Sequence, residues 1–447
     1  MVCEHIFGTD GIRGTVGSPL ICATFFQRLG RALEKLLERK NLPRRIIIGC
    51  DGRSSAATLR NALLSGLSDA VEIWDIGVLS TPAIASAVPF FDASIGISLT
   101  ASHNGASDNG AKFFDCRGHK WSAECERQLE RSFENITPGE AMPCHPTVHK
   151  CHKRALNNYL LSWRKYFSPK ALSGLKVVLD MANGAASYYG VHLLESIGAE
   201  VVATGNAPNG NNINKNCGSE WPHHLLETVR ATESDFGLAL DGDGDRALLC
   251  GKDGYTIAGE HILARLSLAA LRQHHVSQIV TTQQANGALD GYLAAHGIDV
   301  LRTEVGDRNV AEALEKYGCP LGGEPSGHVI FSNCTMVADG LLTGAFFLQT
   351  FAEQEAQKFP QNWRFPLHAY ASTNIPVAKK FPLDEAKYLQ ECRNRVEEKL
   401  GLSGRVFIRY SGTENKLRML VEATDDAQAQ DLLSELSDAF FSDAANF

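Results

Sequence analysis

ASIGISLTASHN, residues 93–104, joins an apolar run to a polar ending. The run at 93–99 predicts a buried β-strand, and the Asn, Gly and Asp residues at 104–110 end it, because they neither continue a strand nor readily start a helix. Ser102 is therefore predicted at the carboxyl end of a strand, the edge where open α/β sheets bind ligands. Serine is a weak nucleophile by itself, so a catalytic Ser102 needs a base, a cation or a metal from elsewhere in the chain. The alternative is an ordinary polar turn.

One order of elements, strand, loop, helix and strand, occurs three times along the chain. It begins at RIIIGC (45–50), KVVLD (176–180) and QIVTT (278–282), and the second strands are expected at 71–75, 198–202 and 297–300. This repetition predicts three mixed α/β domains of similar fold in tandem. From about Asn374 the pattern changes to a strand, a helix, a hairpin at 405–422 and a last helix, which predicts a smaller C-terminal α+β domain.

The domain limits follow from connectors rich in Gly, Pro and polar residues. Such segments lie at 137–152, 251–259 and 360–373. We expect domain I at 1–150, domain II at 151–255, domain III at 256–367 and domain IV at 368–447. A chain of 447 residues is too long for one core and suits about three or four domains.

Composition and charge narrow the class of protein. Hydrophobic residues make up 44% and charged residues 21%, which is typical of a globular chain, and the net charge is −8. That charge argues against nucleic acid or an anionic membrane as the main partner, so a phosphorylated ligand would need local positive charge. No apolar run reaches the roughly 18 residues of a membrane span, and the first residues do not resemble a signal peptide. We therefore expect a cytoplasmic protein.

The twelve cysteines are expected to be reduced thiols, because they are scattered without CxxC spacing. One tract, CHPTVHKCH at 144–152, could bind a transition metal. It lies in a Pro-containing connector and lacks the spacing of a zinc finger, which makes a plain connector the simpler interpretation.

The motif LALDGDGDR at 238–246 ends an apolar run with three carboxylates, Asp241, Asp243 and Asp245, separated by glycines. Glycines let the carboxylates surround one hard cation, which prefers oxygen ligands. An EF-hand is excluded, because its calcium-binding loop has Gly at the sixth position and Glu at the twelfth. Here those positions are Arg246 and Lys252. Three protein ligands leave room for a substrate oxygen, which suits Mg²⁺ better than a closed Ca²⁺ cage. A solvated acidic turn is the alternative.

Four further stretches carry candidate binding residues. FGTDGIRG at 7–14 places Arg13 among glycines, where it could reach an anion. VGDR at 305–308 and GGEPSGH at 322–328 offer groups that bind sugar hydroxyls, namely Asp307, Arg308, Glu324, Ser326 and His328. RVFIRYSGTENKLR at 405–418 places a turn between two arginines, an arrangement typical of a phosphate site, with Arg409, Ser411, Gly412, Thr413 and Arg418. For each stretch the alternative is a structural loop with solvated side chains.

Taken together, these motifs resemble the α-D-phosphohexomutase superfamily. The resemblance rests on FGTDGIRG (7–14), TASHN with DNGAK (100–112), DGDGDR (241–246), GEPSGH (323–328) and RYSGTE (409–414), in this order and spacing. The stretches NIN (212–214) and CGS (217–219), together with VGDR, resemble its bacterial phosphoglucosamine mutase branch.

The resemblance implies four domains around a central cleft and a role for each motif. Ser102 would be a phosphoserine, and Asp241, Asp243 and Asp245 would hold Mg²⁺ with one of its oxygens. Arg246 would steady that phosphate, and Lys112 would be the acid/base helper, with His103 and His328 as rivals. Glu324 and Ser326 would bind sugar hydroxyls, and the 409–418 hairpin would hold the substrate's second phosphate.

The implied activity is interconversion of glucosamine 6-phosphate and glucosamine 1-phosphate for amino-sugar nucleotide synthesis. It would use a phosphoserine enzyme and a 1,6-bisphosphate intermediate, with glucosamine or glucose 1,6-bisphosphate as primer. Relatives imply a homodimer. The alternatives are a mutase for glucose or mannose phosphates and a sugar-phosphate binding protein without turnover.

Three positions depart from the usual pattern of the superfamily. Gly105 and Asn415 stand where proline is usual, and Glu220 stands where threonine is usual. Loss of proline loosens a loop but removes no reacting group. We therefore expect activity to be retained.

Overall fold

The computed structural model describes residues 6–8, 10–134, 136, 146–274, 276–352, 363–411 and 415–444. Its strands, numbered in chain order, are β1 Ile12–Thr15, β2 Arg45–Cys50, β3 Glu72–Val78, β4 Ile95–Leu99, β5 Asp108–Phe114, β6 Thr147–Lys150, β7 Lys176–Asp180, β8 Glu200–Thr204, β9 Phe236–Leu240, β10 Ala247–Gly251, β11 Thr256–Ile257, β12 Gln278–Thr282, β13 Asp299–Thr303, β14 Leu321–Gly323, β15 Val329–Phe331, β16 Ala369–Pro376, β17 Arg405–Tyr410 and β18 Lys416–Ala423. Its α-helices are α1 Ala23–Arg39, α2 Ala56–Ser65, α3 Thr81–Phe90, α4 Ala123–Glu134, α5 His152–Trp163, α6 Gly190–Ser196, α7 Pro222–Ala231, α8 Gly259–His274, α9 Ala288–Ala294, α10 Asp307–Tyr317, α11 Gly340–Gln349, α12 Lys387–Leu400 and α13 Asp426–Ala444. None of these helices has the length and apolarity that crossing a membrane requires.

Three sheets, which define domains I, II and III, repeat one strand arrangement. In each sheet a central strand, β2, β7 or β12, has a parallel neighbour on both sides. One of these neighbours, β4, β9 or β14, pairs on its other side with an antiparallel strand, β5, β10 or β15. The resulting order is β5-β4-β2-β3 in domain I, β10-β9-β7-β8 in domain II and β15-β14-β12-β13 in domain III. The prediction of three mixed α/β domains of similar fold is confirmed.

The candidate loops occupy the same place in all three domains. Ser102 lies between β4 and β5, the residues 241–246 lie between β9 and β10, and the residues 324–328 lie between β14 and β15. Since β4, β9 and β14 run parallel to their central strands, each of these loops lies at the edge of its sheet where the parallel strands have their carboxyl ends. Ligands bind at this edge in open α/β sheets.

The strand β4, which precedes the Ser102 loop, is buried on both faces, and this explains why the sequence predicts it. All five residues of β4 are buried, as expected of a strand covered on both faces. Gly96 in this strand lets α3 approach, because a Cβ there would lie 2.3 Å from Val88 Cγ2. On the other face, α1 buries Phe26, Leu29 and Leu33 on one side of the helix. β4 is therefore held between two layers, and the loop that follows it starts from a fixed point.

Three short strands lie where the sequence predicts turns or connectors: β1, β6 and β11, the last within the expected connector 251–259. β1 overlaps the end of the Gly-rich 7–14 stretch and pairs antiparallel with β5, so Ile12 lies opposite Ala111. β6 falls within the expected connector 137–152 and pairs in parallel with β3. β6 is an edge strand whose side chains are exposed or half-buried, so it lacks the apolar alternation that reveals a strand.

Domain IV is a three-stranded antiparallel sheet, β16-β18-β17, packed against α12 and α13. Its own core includes Leu389, Val396 and Leu436. The domain contacts domain III through Glu422, whose Oε2 accepts a hydrogen bond from the backbone of Gly287 over 2.8 Å. The predicted small α+β domain is confirmed.

Candidate active site

Ser102 is fully buried where the loops of domains I and II meet. Its Oγ donates a hydrogen bond to Asp241 Oδ2 over 2.5 Å, and its backbone N–H donates to Thr100 Oγ1 over 2.8 Å. Its φ angle is +51°, a left-handed conformation that is uncommon for residues other than glycine. Such local strain, held by surrounding contacts, often occurs at functional sites. The predicted nucleophile and the predicted metal loop are thus in direct contact.

The carboxylates of Asp241, Asp243 and Asp245 form a buried group that could bind a metal. One oxygen from each lies within 4.8 Å of the others. Among the described residues, Asp243 Oδ1 and Asp245 Oδ1 are buried without a hydrogen-bond partner. Burial, with the neighbouring carboxylates, raises the pKa of Asp241 to about 8. A hard divalent cation fits this all-oxygen set, since it would supply the missing partners and the opposing charge.

Lys112, on β5, lies among these carboxylates. Its Nζ is 2.6 Å from Asp245 Oδ2, 2.9 Å from Asp243 Oδ2 and 3.0 Å from Asp10 Oδ2. Burial opposes its charge, but the three carboxylates outweigh that effect and hold the pKa of Lys112 well above its usual value. Lys112 is therefore a charged proton donor in this arrangement.

The two histidines predicted as alternatives to Lys112 for the acid/base role lie in different surroundings. His103 Nδ1 is 3.5 Å from Ser102 Oγ, and burial together with Arg246 lowers the pKa of His103. His328 Nε2 is 3.2 Å from Asp245 Oδ2. Burial opposes its charge, but Asp245 and Asp307 raise the pKa of His328 to about 10. The identity of the acid/base group stays a prediction.

A cavity of about 610 Å³ opens beside this cluster between domains I, II and III. It is lined by six of the residues predicted from the sequence, namely Arg13, Arg246, Asp307, Glu324, Ser326 and His328. The volume suits a small ligand. Among the described residues, Arg246 Nε is buried without a hydrogen-bond partner, while Arg246 Nη1 lies 3.6 Å from Glu220. The cavity thus combines cations with groups that bind hydroxyls.

Asp307 and Arg308 also connect domain III to domain I. Asp307 forms an ion pair with Lys120, which reaches Asp10 Oδ1 over 2.6 Å as well. Arg308 forms an ion pair with Glu126 on α4 and is not among the residues that line the 610 Å³ cavity. Asp307 therefore lines the cavity, whereas Arg308 contacts domain I. Their predicted role in sugar binding stays a prediction.

In domain IV, Arg409 and Arg418 lie directly opposite each other on β17 and β18. Like charges facing each other across two strands are unfavourable, and an anion between them would relieve the repulsion. The Ser411 backbone N–H donates to Lys416 O over 2.8 Å and closes the hairpin. Gly412 and Thr413 lie outside the described residues. The described part of this hairpin does not line the 610 Å³ cavity.

Several residues of the site were not predicted. Arg53 and Asn214 hold the backbone of the Ser102 loop, and Thr81 Oγ1 donates to Asp243 Oδ2 over 2.6 Å. DGRSS, directly after β2, was the one available signal for Arg53, because it leaves a carboxyl strand end as TASHN does. Asn214 lies in the NIN stretch quoted for the resemblance, but no local pattern predicts its contact with Ser102 or the contact of Thr81 with Asp243, since these partners are more than 100 residues away.

Gly105→Pro is expected to fold and to stabilise the protein. Within the described ranges no atom lies within 4 Å of a Cβ built on Gly105, and its φ is not left-handed. Proline keeps the carbonyl that Arg53 contacts and restricts the unfolded chain, a gain of about 0.4–1 kcal/mol. Calorimetry of Gly105→Pro beside Gly105→Ala would measure this gain, and a lower Tm for the proline variant would contradict it.

Comparison with known proteins identifies the family. The four domain models of phosphoglucomutase/phosphomannomutase match in order: alpha/beta/alpha domain I at 4–140, domain II at 157–254, domain III at 258–363 and the C-terminal domain at 373–439. A phosphoglucosamine mutase of Pelobacter propionicus is 36% identical over 442 residues, which cover 97% of this chain and 98% of the relative. The chain belongs to the phosphoglucosamine mutase branch of the α-D-phosphohexomutase superfamily.

Solved structures of the superfamily share the fold. A phosphoglucomutase/phosphomannomutase family protein of Burkholderia thailandensis has a TM-score of 0.79 at 23% identity, and the match covers 99% of this chain and 98% of that one. The N-acetylphosphoglucosamine mutase of Aspergillus fumigatus, solved with GlcNAc-6P and magnesium, has a TM-score of 0.63 at 16% identity, with coverage of 99% and 97%. At these identities the likeness describes the fold alone.

Proposed function

We propose that this protein is a phosphoglucosamine mutase, which interconverts glucosamine 6-phosphate and glucosamine 1-phosphate. The observation that carries the proposal is the contact between Ser102 Oγ and Asp241 at a buried carboxylate cluster. A nucleophile beside a candidate cation site, next to a cavity with cationic and hydroxyl-binding groups, supports phosphoryl transfer between a serine and a sugar. The 36% identity to a phosphoglucosamine mutase supports the choice of sugar.

In the proposed reaction, phospho-Ser102 gives its phosphoryl group to the sugar 1-hydroxyl. The bond between phosphorus and Ser102 Oγ breaks as a new bond to the sugar oxygen forms. A nearby base takes up the hydroxyl proton, and Ser102 Oγ gains a proton as it leaves, so the serine hydroxyl is restored. The resulting 1,6-bisphosphate then reorients in the cavity, so that its 6-phosphate faces Ser102, and it returns its 6-phosphoryl group to Ser102. One serine and one carboxylate cluster thus serve both half-reactions.

The surrounding residues position these groups. We propose that Asp241, Asp243 and Asp245 hold Mg²⁺, which supplies the charge neutralisation that phosphoryl transfer needs. Arg246 and Arg13 would contact the reacting phosphate, and Glu324, Ser326 and Asp307 would bind sugar hydroxyls. Lys112, a charged donor beside the cluster, is the first candidate for proton transfer. His103, whose Nδ1 lies 3.5 Å from Ser102 Oγ, and His328 are the alternatives. A 1,6-bisphosphate primer would phosphorylate Ser102 before the first turnover.

We further propose domain limits at 150, 255 and 367, a cytoplasmic location and a homodimer. The limits keep each loop with the strands that present it. The strand β11, at Thr256–Ile257, pairs with β10 and so extends the sheet of domain II slightly past the proposed limit at 255.

A side-by-side rate comparison tests the proposed function. Glucosamine, glucose and mannose 6-phosphates are supplied at equal concentrations with Mg²⁺ and a 1,6-bisphosphate primer. We expect the highest kcat/KM with glucosamine 6-phosphate. A higher value with glucose or mannose phosphate would identify another mutase of the superfamily, and binding without turnover of any sugar would identify a non-catalytic protein.

Arg418→Ala is expected to raise KM for glucosamine 6-phosphate about tenfold to a hundredfold. In the proposed site the domain IV hairpin grips the non-reacting phosphate, and one charge-assisted contact is worth roughly 1.5–3 kcal/mol. Binding energy shared by the ground and transition states appears in KM rather than in kcat. The variant should also release more free bisphosphate, because the intermediate must stay bound while it reorients in the cavity.

Steady-state kinetics with an assay for released bisphosphate measure both effects. Arg393→Ala is a matched control, since Arg393 lies in domain IV on α12 and pairs with Glu397 at the surface. An unchanged KM without bisphosphate release in the Arg418 variant would place the phosphate site elsewhere.

A further inference from the structure

The backbone of the Ser102 loop is held by two side chains from different domains. Arg53 comes from the loop after β2 in domain I, and Asn214 comes from the loop after β8 in domain II. Both donate to the same two carbonyl oxygens, those of Ser102 and Asn104. We call this pair the Arg53–Asn214 clamp.

Arg53 contributes most of the hydrogen bonds. Its Nη2 donates to the carbonyls of Ser102 (2.9 Å) and Asn104 (2.8 Å), and its Nη1 donates to the carbonyls of Asp108 (3.0 Å) and Gly105. Its Nε donates to Asp51 Oδ2 over 2.8 Å, and both side chains are fully buried. A buried guanidinium is costly unless its charge and all its N–H groups are matched, as they are here.

Asn214 links the same loop to the metal loop of domain II. Its Nδ2 donates to the Ser102 carbonyl over 2.7 Å and to the Asn104 carbonyl over 2.9 Å. The same Nδ2 lies 2.8 Å from the place that a Cβ on Gly242 would occupy, so the side chain packs directly on the DGDGD loop. Its φ of +56° is one that asparagine tolerates better than most residues.

We propose that Arg53 and Asn214 are positioning residues that fix Ser102 against the carboxylate cluster. This inference rests on the proposed function, because it concerns the same serine. Ser102 itself adopts a left-handed backbone, which persists only when neighbouring contacts determine it. Both side chains of the clamp donate to the carbonyl of this strained residue, whose Oγ donates to Asp241. Neither side chain donates to Ser102 Oγ itself.

The clamp also explains how the loop is ordered without proline. Gly105 stands where the superfamily usually has proline, and its carbonyl is one of the four that Arg53 holds. Four backbone carbonyls bonded to one buried side chain restrict the loop as a rigid residue would. A displacement of about 1 Å at a reacting atom costs on the order of 10² in rate. The clamp is therefore expected to act on kcat.

The test uses Asn214, because loss of buried Arg53 would affect folding as well. Asn214→Asp keeps the shape and the left-handed tendency but turns the donor into an acceptor facing two carbonyls. Asn214→Gly keeps the backbone conformation and removes the side chain. Asn216→Asp and Asn216→Gly are matched controls, since Asn216 has a φ of +55° on the same segment and is exposed.

The measurement is the single-turnover rate at which glucose 1,6-bisphosphate phosphorylates Ser102, followed by intact mass, together with kcat and KM for glucosamine 6-phosphate. We expect both Asn214 variants to lose roughly thirtyfold to a hundredfold in the phosphorylation rate and in kcat. KM should change less than about threefold, and the Asn216 controls should match the unmodified protein.

Three outcomes would overturn the inference in distinguishable ways. Phosphorylation at the unmodified rate in either folded Asn214 variant would show that the clamp does not position Ser102. A loss confined to KM would assign Asn214 to substrate binding. Failure of the unmodified protein to take phosphate on Ser102 would overturn the proposed function, and this inference with it.

Discussion

Ser102→Ala is expected to reduce turnover to background, a loss of roughly 10⁴-fold or more, as is typical when a covalent nucleophile is removed. The proposed reaction passes every phosphoryl group through Ser102 Oγ, so no second route remains. The side chain is fully buried and its only described partners are Asp241 and His103, so alanine fits the available space. Binding of glucosamine 6-phosphate should persist, because the cavity residues and domain IV are unchanged.

Initial rates with primer, together with equilibrium binding of glucosamine 6-phosphate, test this expectation. Ser107→Ala is the matched control, because Ser107 lies in the same loop and is exposed. The control should keep the full rate. Full turnover of Ser102→Ala would show that another residue carries the phosphoryl group.

Asp243→Asn is expected to lower kcat by on the order of 10² or more, the range seen when one preorganised electrostatic group is lost. The substitution keeps the size of a fully buried side chain but removes one charge from the carboxylate cluster. That charge matters most as the phosphoryl group is transferred, so KM should change much less than kcat. Affinity for Mg²⁺ should fall as well, since Asp243 Oδ1 is one of the oxygens without a described partner.

Kinetics and calorimetric titration of Mg²⁺ into the protein give two independent readouts of this variant. Asp253→Asn is a suitable control, because Asp253 lies in domain II, is partly exposed and pairs with Arg364. Near-normal kcat with an unchanged Mg²⁺ affinity in Asp243→Asn would indicate that the aspartates form only an acidic turn.

Much of the fold could be predicted because its central strands are buried on both faces. β4, β7 and β12 all lie inside their sheets, and the bounds predicted for β7 and β12 are the observed ones. The loops with Ser102 and Asp241 could be placed for the same reason, since an apolar run ending in Gly, Asn and Asp marks a carboxyl strand end.

The remaining features depend on contacts that no local pattern encodes. β6 is an exposed edge strand, so its side chains carry no alternation. Arg53 is charged and would be expected at the surface, yet it is buried because four carbonyls and Asp51 satisfy it. The contact between Arg308 and Glu126 joins residues 182 apart in the sequence, so no local pattern predicts it.

The most direct measurement of the proposed chemistry is a transfer experiment on Ser102. The purified protein is incubated with Mg²⁺ and phosphorus-labelled glucosamine 1,6-bisphosphate, its phosphopeptides are mapped, and the label is then chased with glucosamine 6-phosphate. We expect one labelled peptide, phosphorylated on Ser102, and loss of its label to the sugar at a rate no slower than kcat. Label on another residue, or label on Ser102 that the sugar does not remove, would contradict the proposed mechanism.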